Sequence, residues 1–276
     1  MRIGLCNEVI ATLPFERQCE VAAELGYDGL ELAPVTIDPN PDALPAARRA
    51  ALRRAASDAG IGITGLHYLM RAPEGLSITS RDAAQRKRTV EVMRALSVLC
   101  AELGGRVLVH GSPDQRKLEP GFEDEGRKHA AECWAAVADA AQAAGVVYCV
   151  EPLSRKQTAC VNTIEEAAAI VRAVNSPGLR TMLDTSAAGS TETESIPDLI
   201  RKWLPTGLIA HVHLNDPNRR GPGEGDLKFA PIFQALREQN YAGDFGIEPF
   251  IYKPDGPGCA ARAVGYVRGV IEALSR

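Results

Sequence analysis

The sequence predicts a single (β/α)8 TIM barrel spanning residues 1–276, and three observations carry that expectation. Eight short apolar runs alternate with longer segments whose apolar residues recur every three or four positions, the patterns of buried strands and of helices. Gly or Pro marks the joins between them. No Pro/Ser-rich linker or shift in composition divides the chain. Strands separated by crossover helices run parallel, and eight such units close into a barrel. An open doubly wound sheet is the alternative, but no G-x-G-x-x-G turn follows the first strand.

The elements follow in order. Ile3 to Cys6 is the first strand, and a helix from about Phe15 to Leu25 is closed by Gly26. Asp28-Gly-Leu-Glu-Leu-Ala holds the second strand, and Ala43 to Ala59 is an Ala/Arg-rich helix stopped at Gly60. Ile61 to His67 is the third strand, leading into a long loop. Ser80 or Asp82 caps a helix that reaches Leu103, with Val92, Leu96 and Leu99 on its apolar stripe. Val107 to His110 is the fourth strand, and Glu123 to Ala144 a long helix ended by Gly145. Val146 to Glu151 is the fifth strand. Thr163 with Glu166 forms a capping box for a helix reaching Val174. Arg180 to Asp184 is the sixth strand, followed by a loop and a helix around Ile196 to Trp203. Leu208 to Leu214, a helix from Phe229 to Gln239, Phe245 to Glu248 and a closing helix from Ala260 to Leu274 complete the chain.

Composition narrows the class. Apolar residues make up 45% and charged residues 24%, as in an ordinary globular protein. The 31 basic against 35 acidic residues give a net charge of −4, which argues against nucleic acid and anionic membrane as partners. Seven cysteines without a C-x-x-C pair read as small buried hydrophobes in a reducing compartment. The opening MRIGLCNEV runs straight into a strand, and no apolar run approaches the ~18 residues of a membrane span, so a cytoplasmic location is expected.

The chemistry concentrates where the strands end. In LIAHVHLNDPNR, His211 and His213 stand two residues apart, which puts both imidazoles on one face of a strand, with His213 at its C-terminal edge. Three other apolar runs end on a carboxylate: VVYCVEP at Glu151, RTMLDTS at Asp184 and FGIEPF at Glu248. Each alone reads as a solvated strand end. Together, three carboxylates and an imidazole are costly to gather unless they share a cation. Of five histidines, His67 and His110 also close strands, and only His129 lies in a helical run. The catalytic face of a (β/α)8 barrel is this same end. Arg116, in the loop after His110, and Arg219 could each bind a phosphate or carboxylate, or be a solvated surface charge.

VEP at Glu151, LDT at Asp184, HVHLND at His213 and IEPF at Glu248 resemble the xylose isomerase-like TIM barrels, along essentially the full chain. These are sugar (phosphate) isomerases and epimerases, including the D-tagatose and D-psicose 3-epimerases, with endonuclease IV as a distant relative. The resemblance implies a divalent metal on Glu151, Asp184, His213 and Glu248, with Glu151 and Glu248 as the catalytic pair exchanging protons with substrate. It also implies Arg219 as a substrate-binding residue, and the GPGEGDL loop from Gly221 to Leu227 matches too. His67, His110, His211 and Arg116 are the further substrate-binding candidates; His67 and His110 with Glu151 could instead hold a second metal. Two departures point away from a typical ketose pocket and toward another sugar-like polyol. Ala187 replaces a histidine three residues after the metal aspartate, and Gln157 replaces a glutamate. The nuclease's third metal site lacks that same histidine, and its Asp-x-His reads Asp226-Leu-Lys228.

Such a site removes a proton beside a sugar carbonyl on one carboxylate and returns one from the other. Three oxygens and one nitrogen without thiolate favour Mn²⁺, with Mg²⁺, Co²⁺ or Zn²⁺ as alternatives. The expectation is a metal-dependent isomerase or epimerase of a sugar or sugar derivative. A lyase on the same scaffold (a keto-polyol dehydratase or a 3-keto-glycoside-cleaving enzyme), an AP endonuclease and a non-catalytic sugar-binding barrel are the alternatives. The expected partner is a small sugar or polyol, with a homo-oligomer suggested by family analogy alone.

Overall fold

In the computed structural model, which describes residues 2–275, the eight apolar runs are eight strands, each hydrogen-bonded in parallel to its neighbours around a closed barrel. They are β1 (Ile3–Cys6), β2 (Gly29–Leu32), β3 (Gly62–His67), β4 (Val107–His110), β5 (Val147–Val150), β6 (Leu179–Asp184), β7 (Ile209–Leu214) and β8 (Phe245–Ile247). The outer layer is α1 (Phe15–Leu25), α2 (Ala46–Asp58), α3 (Ala83–Leu103), α4 (Glu123–Ala144), α5 (Ile164–Val174), α6 (Thr185–Thr191), α7 (Ile196–Trp203), α8 (Phe229–Glu238) and α9 (Gly256–Leu274).

The helices form where apolar spacing and caps agree. α7 buries Ile196, Leu199, Ile200 and Trp203, the i, i+3, i+4, i+7 stripe, and Ser195 caps it by accepting from Asp198 N. Each such side chain contributes about 1.5–3 kcal/mol when fully buried. Asp82 caps α3 through Ala84 N. Thr163 accepts from Glu166 N, while Glu166 reaches back to Asn162 N, one residue before the cap. Three elements depart from expectation. α2 begins at Ala46 rather than Ala43, because Pro45 holds Leu44 before it in extended backbone. The stretch after β6 is the short helix α6, because the Asp184 side chain accepts from Ala187 N and starts a turn. The last helix begins at Gly256, since Asp255 caps it and Pro257 is harmless in a first turn whose N–H groups lack partners.

Alternation decides which side chains enter the barrel. Val109, Cys149 and Met182 form a separate buried cluster there, with the main core between strands and helices. A register shift between Thr181 and Met182 sets Asp184 directly beside His213. His213 pairs with Gly246, two residues before Glu248, so these two side chains share a face. Among the described residues no helix is long and apolar enough to cross a membrane. All seven cysteines are free and buried.

Candidate metal centre

At the C-terminal ends of β5 to β8, Glu151, Asp184, His213 and Glu248 are all buried, and each offers a ligand atom within 4.8 Å of the others'. Gly111 makes room for this set: a Cβ there would stand 1.7 Å from Glu151 Oε2.

His213 is held from below. Its Nε2 lies 3.0 Å from Glu31 Oε1, and its Nδ1 lies 3.1 Å from Glu248 Oε2. Glu31, on β2 inside the barrel, binds His211 Nε2 through its other oxygen at 2.9 Å. Gly246 leaves space for this pairing, since a Cβ there would meet Glu31 Oε2 at 2.5 Å. Glu248 Oε1 in turn lies 2.9 Å from His67 Nδ1, and His67 Nε2 lies 2.5 Å from Glu8 Oε2.

The electrostatics are those of crowded charge. Burial, then Glu248 and Asp184, push the Glu151 carboxyl well above the usual range. Burial and Glu248 push Asp184 up to about 6. For Glu248, burial acts upward too, but His213 and His67 outweigh it and hold the group at about 2. Burial would depress the imidazole of His213, yet Glu31 and Glu248 raise it well above its ordinary value. Glu31 lies well below the carboxylate range, because His211 and His213 overcome its desolvation. Asp184 Oδ2 is buried without a hydrogen-bond partner.

These residues fit a divalent ion: the three carboxylates are crowded together, Asp184 has an oxygen to give, and Glu31 occupies His213 Nε2, so Nδ1 is the nitrogen that would ligate. Cys6 falls in two other groupings, with Glu31 and His213 or with His67 and Glu248, but in these Glu31 already holds His213 Nε2 and Glu248 lies on His67 Nδ1.

The remaining sequence candidates separate. Arg219 lines the cavity of about 560 Å³ above the carboxylates, its guanidinium 4.7 Å from the Phe250 ring centre. The expectations for four others are corrected by their partners. His67 is fully buried and does not line the cavity, its Nδ1 lying on Glu248. His211 lies deeper in the barrel on Glu31 and does not line the cavity. His110 pairs with Val150, so it faces away from Glu151 and into the helix layer, where Trp134 Nε1 and Tyr148 Oη reach its Nδ1 at 3.1 and 2.9 Å. Burial and Arg116 keep it neutral, and among the described residues no cluster of three or more candidate ligands includes it. That removes the second metal on His67, His110 and Glu151. Arg116 is neither a surface charge nor a cavity residue: it is fully buried and donates to the Glu151 backbone oxygen at 2.8 Å.

Glu31 and Glu8 escaped the sequence reading. Glu31 left a signal, a lone carboxylate in the middle of the strand GLEL; Glu8 left none, because its role depends on the reach of His67.

Residues 19–269 match the family described as xylose isomerase-like TIM barrel. Over 239 residues the chain is 31% identical to D-psicose 3-epimerase of Agrobacterium fabrum, covering 84% of this chain and 78% of that protein. It is 29% identical to L-ribulose 3-epimerase of Mesorhizobium japonicum, covering 90% and 81%. A crystal structure of D-psicose 3-epimerase in the presence of D-fructose superposes with a TM-score of 0.84 at 25% identity, covering 98% of this chain and 99% of that one.

Proposed function

Because the chain belongs to the xylose isomerase-like TIM barrel family, we propose that it is a divalent-metal-dependent epimerase or isomerase of a sugar or sugar derivative. The observation that carries the reading is the convergence of Glu151, Asp184, His213 and Glu248 beneath a cavity large enough for a sugar. The epimerase relatives support the substrate class.

A bound divalent ion, Mn²⁺ on the donor set, would withdraw electrons from a substrate carbonyl and stabilise the charge formed when the neighbouring C–H ionises. Asp184 and His213 would hold it. Glu248 is the carboxylate placed to take the proton, with His67 Nδ1 2.9 Å from its Oε1. Glu151, the other carboxylate of the pair, would return one from its own side of the carbon. Return at the same carbon inverts it; return at the adjacent carbon moves the carbonyl. Glu31 fixes the orientation of the His213 imidazole. Pro152 and Pro249, directly after the two glutamates, end their strands in extended backbone.

The test is exchange of the proton next to the carbonyl, followed by NMR in D₂O across a panel of ketoses with and without Mn²⁺. The reading expects metal-dependent exchange with a product of unchanged elemental formula. Exchange unaffected by chelation, or no exchange with any sugar, would end it.

A further inference from the structure

The cavity is electrically divided. Its carboxylates are Glu151, Asp184 and Glu248, all belonging to the proposed metal centre, while every other charged residue lining it is a cation: Arg155, Lys156 and Arg219. Among the described residues, neither Lys156 nor Arg219 has a carboxylate within ion-pair distance, and Arg155 only reaches Glu166 at 4.0 Å and Asn162 Oδ1 at 3.4 Å.

The backbone under these cations is built rather than loose. The Arg155–Lys156 turn hangs between β5 and α5, pinned by Asn162 Nδ2 donating to Leu153 O and Thr158 O and by Leu153 N donating to Val161 O. In the same turn Gln157 Oε1 accepts from Ser154 N and Oγ, so its NH₂ remains as the free hydrogen-bonding group. Arg219 sits at φ 67°, a left-handed conformation held by its N–H on Asp216 O and by Phe250 N and Ile251 N on its carbonyl. The hydroxyls of Tyr68, Ser154, Ser186, Ser190 and Thr191 serve a neutral polyol and an anion alike, but only an oxyanion gains charge-assisted hydrogen bonds from Arg155, Lys156 and Arg219.

From this arrangement we infer that the substrate carries an anionic group, a phosphate or a carboxylate, gripped by Arg155, Lys156 and Arg219. The inference rests on the function proposed above and narrows its substrate class.

Isothermal titration of the Mn²⁺-loaded protein separates the two. The probes are an unreactive pentitol or hexitol, its terminal monophosphate and the corresponding terminal carboxylic acid. At low salt, one of the two anions is expected to bind at least about tenfold tighter than the neutral polyol, and the phosphate and carboxylate arms tell which. Added salt should shrink the preference, and Arg155→Ala/Lys156→Ala should abolish it, while Lys87→Ala, a distant exposed cation, leaves it intact. Equal affinity for the neutral polyol and both anions, or a preference that survives the double substitution, overturns the inference. If the neutral polyol binds only with metal and no anion is favoured, the inference alone falls. If no polyol binds with or without metal, the proposed function falls with it.

Discussion

His213 stands between two carboxylates, and that placement divides the work of its nitrogens: Glu31 holds Nε2 while Nδ1 faces Glu248. A carboxylate behind a metal-binding imidazole fixes its tautomer and ring angle, so Glu31→Gln should weaken Mn²⁺ affinity about 10- to 100-fold in a chelator competition. Unchanged affinity would show that the pairing is incidental. Glu248→Gln removes a carboxylate placed for proton transfer, and exchange should fall by about 10²- to 10⁴-fold while the circular dichroism spectrum is unaltered; retained exchange would assign the proton to another group. The converging four residues were legible because each is an unusual residue type at the end of an apolar run. The fates of His110, His67, His211 and Arg116 were not. His110 differs from them only in strand parity, visible once its register with Val150 is known, and His67 and His211 differ in which carboxylate reaches them.

Among the elements, strands and long helices followed from period and Gly/Pro punctuation, while two of the three misjudged ones turn on a cap. α6 exists because the Asp184 side chain accepts from Ala187 N, so the same residue that joins the carboxylate cluster also starts a helix. α9 begins four residues before the apolar pattern does, because Asp255 satisfies Gly258 N through a glycine- and proline-rich turn that reads as a breaker. Gly256 is required there by close approach: a Cβ would lie 1.8 Å from Val9 O. Asp255→Ala should cost about 1 kcal/mol, seen as a drop of about 2–4 °C in Tm. No change in Tm would mean that the cap is not holding the helix start.

For the whole molecule, the proposed metal centre would couple ion uptake to protons. Asp184 is raised to about 6, with Glu151 and His213 also raised, so each holds its proton to a higher pH in the metal-free fold. A carboxyl raised in the folded state stabilises the metal-free chain at low pH and loses that contribution as pH rises through about 6. The ion needs the deprotonated groups, so the gain in Tm on adding Mn²⁺ should be larger at about pH 8 than at about pH 5. Equal gains at both would remove these groups from the ligand set. The barrel itself was readable because eight strand–helix units leave few other topologies, whereas the polarity of the cavity depends on loops whose path the sequence does not reveal. The most direct measurement is an anomalous-difference map from crystals of the Mn²⁺-loaded protein. It should show one strong peak in contact with Glu151, Asp184, His213 and Glu248 together; a peak elsewhere, or none despite saturating metal, would contradict the account.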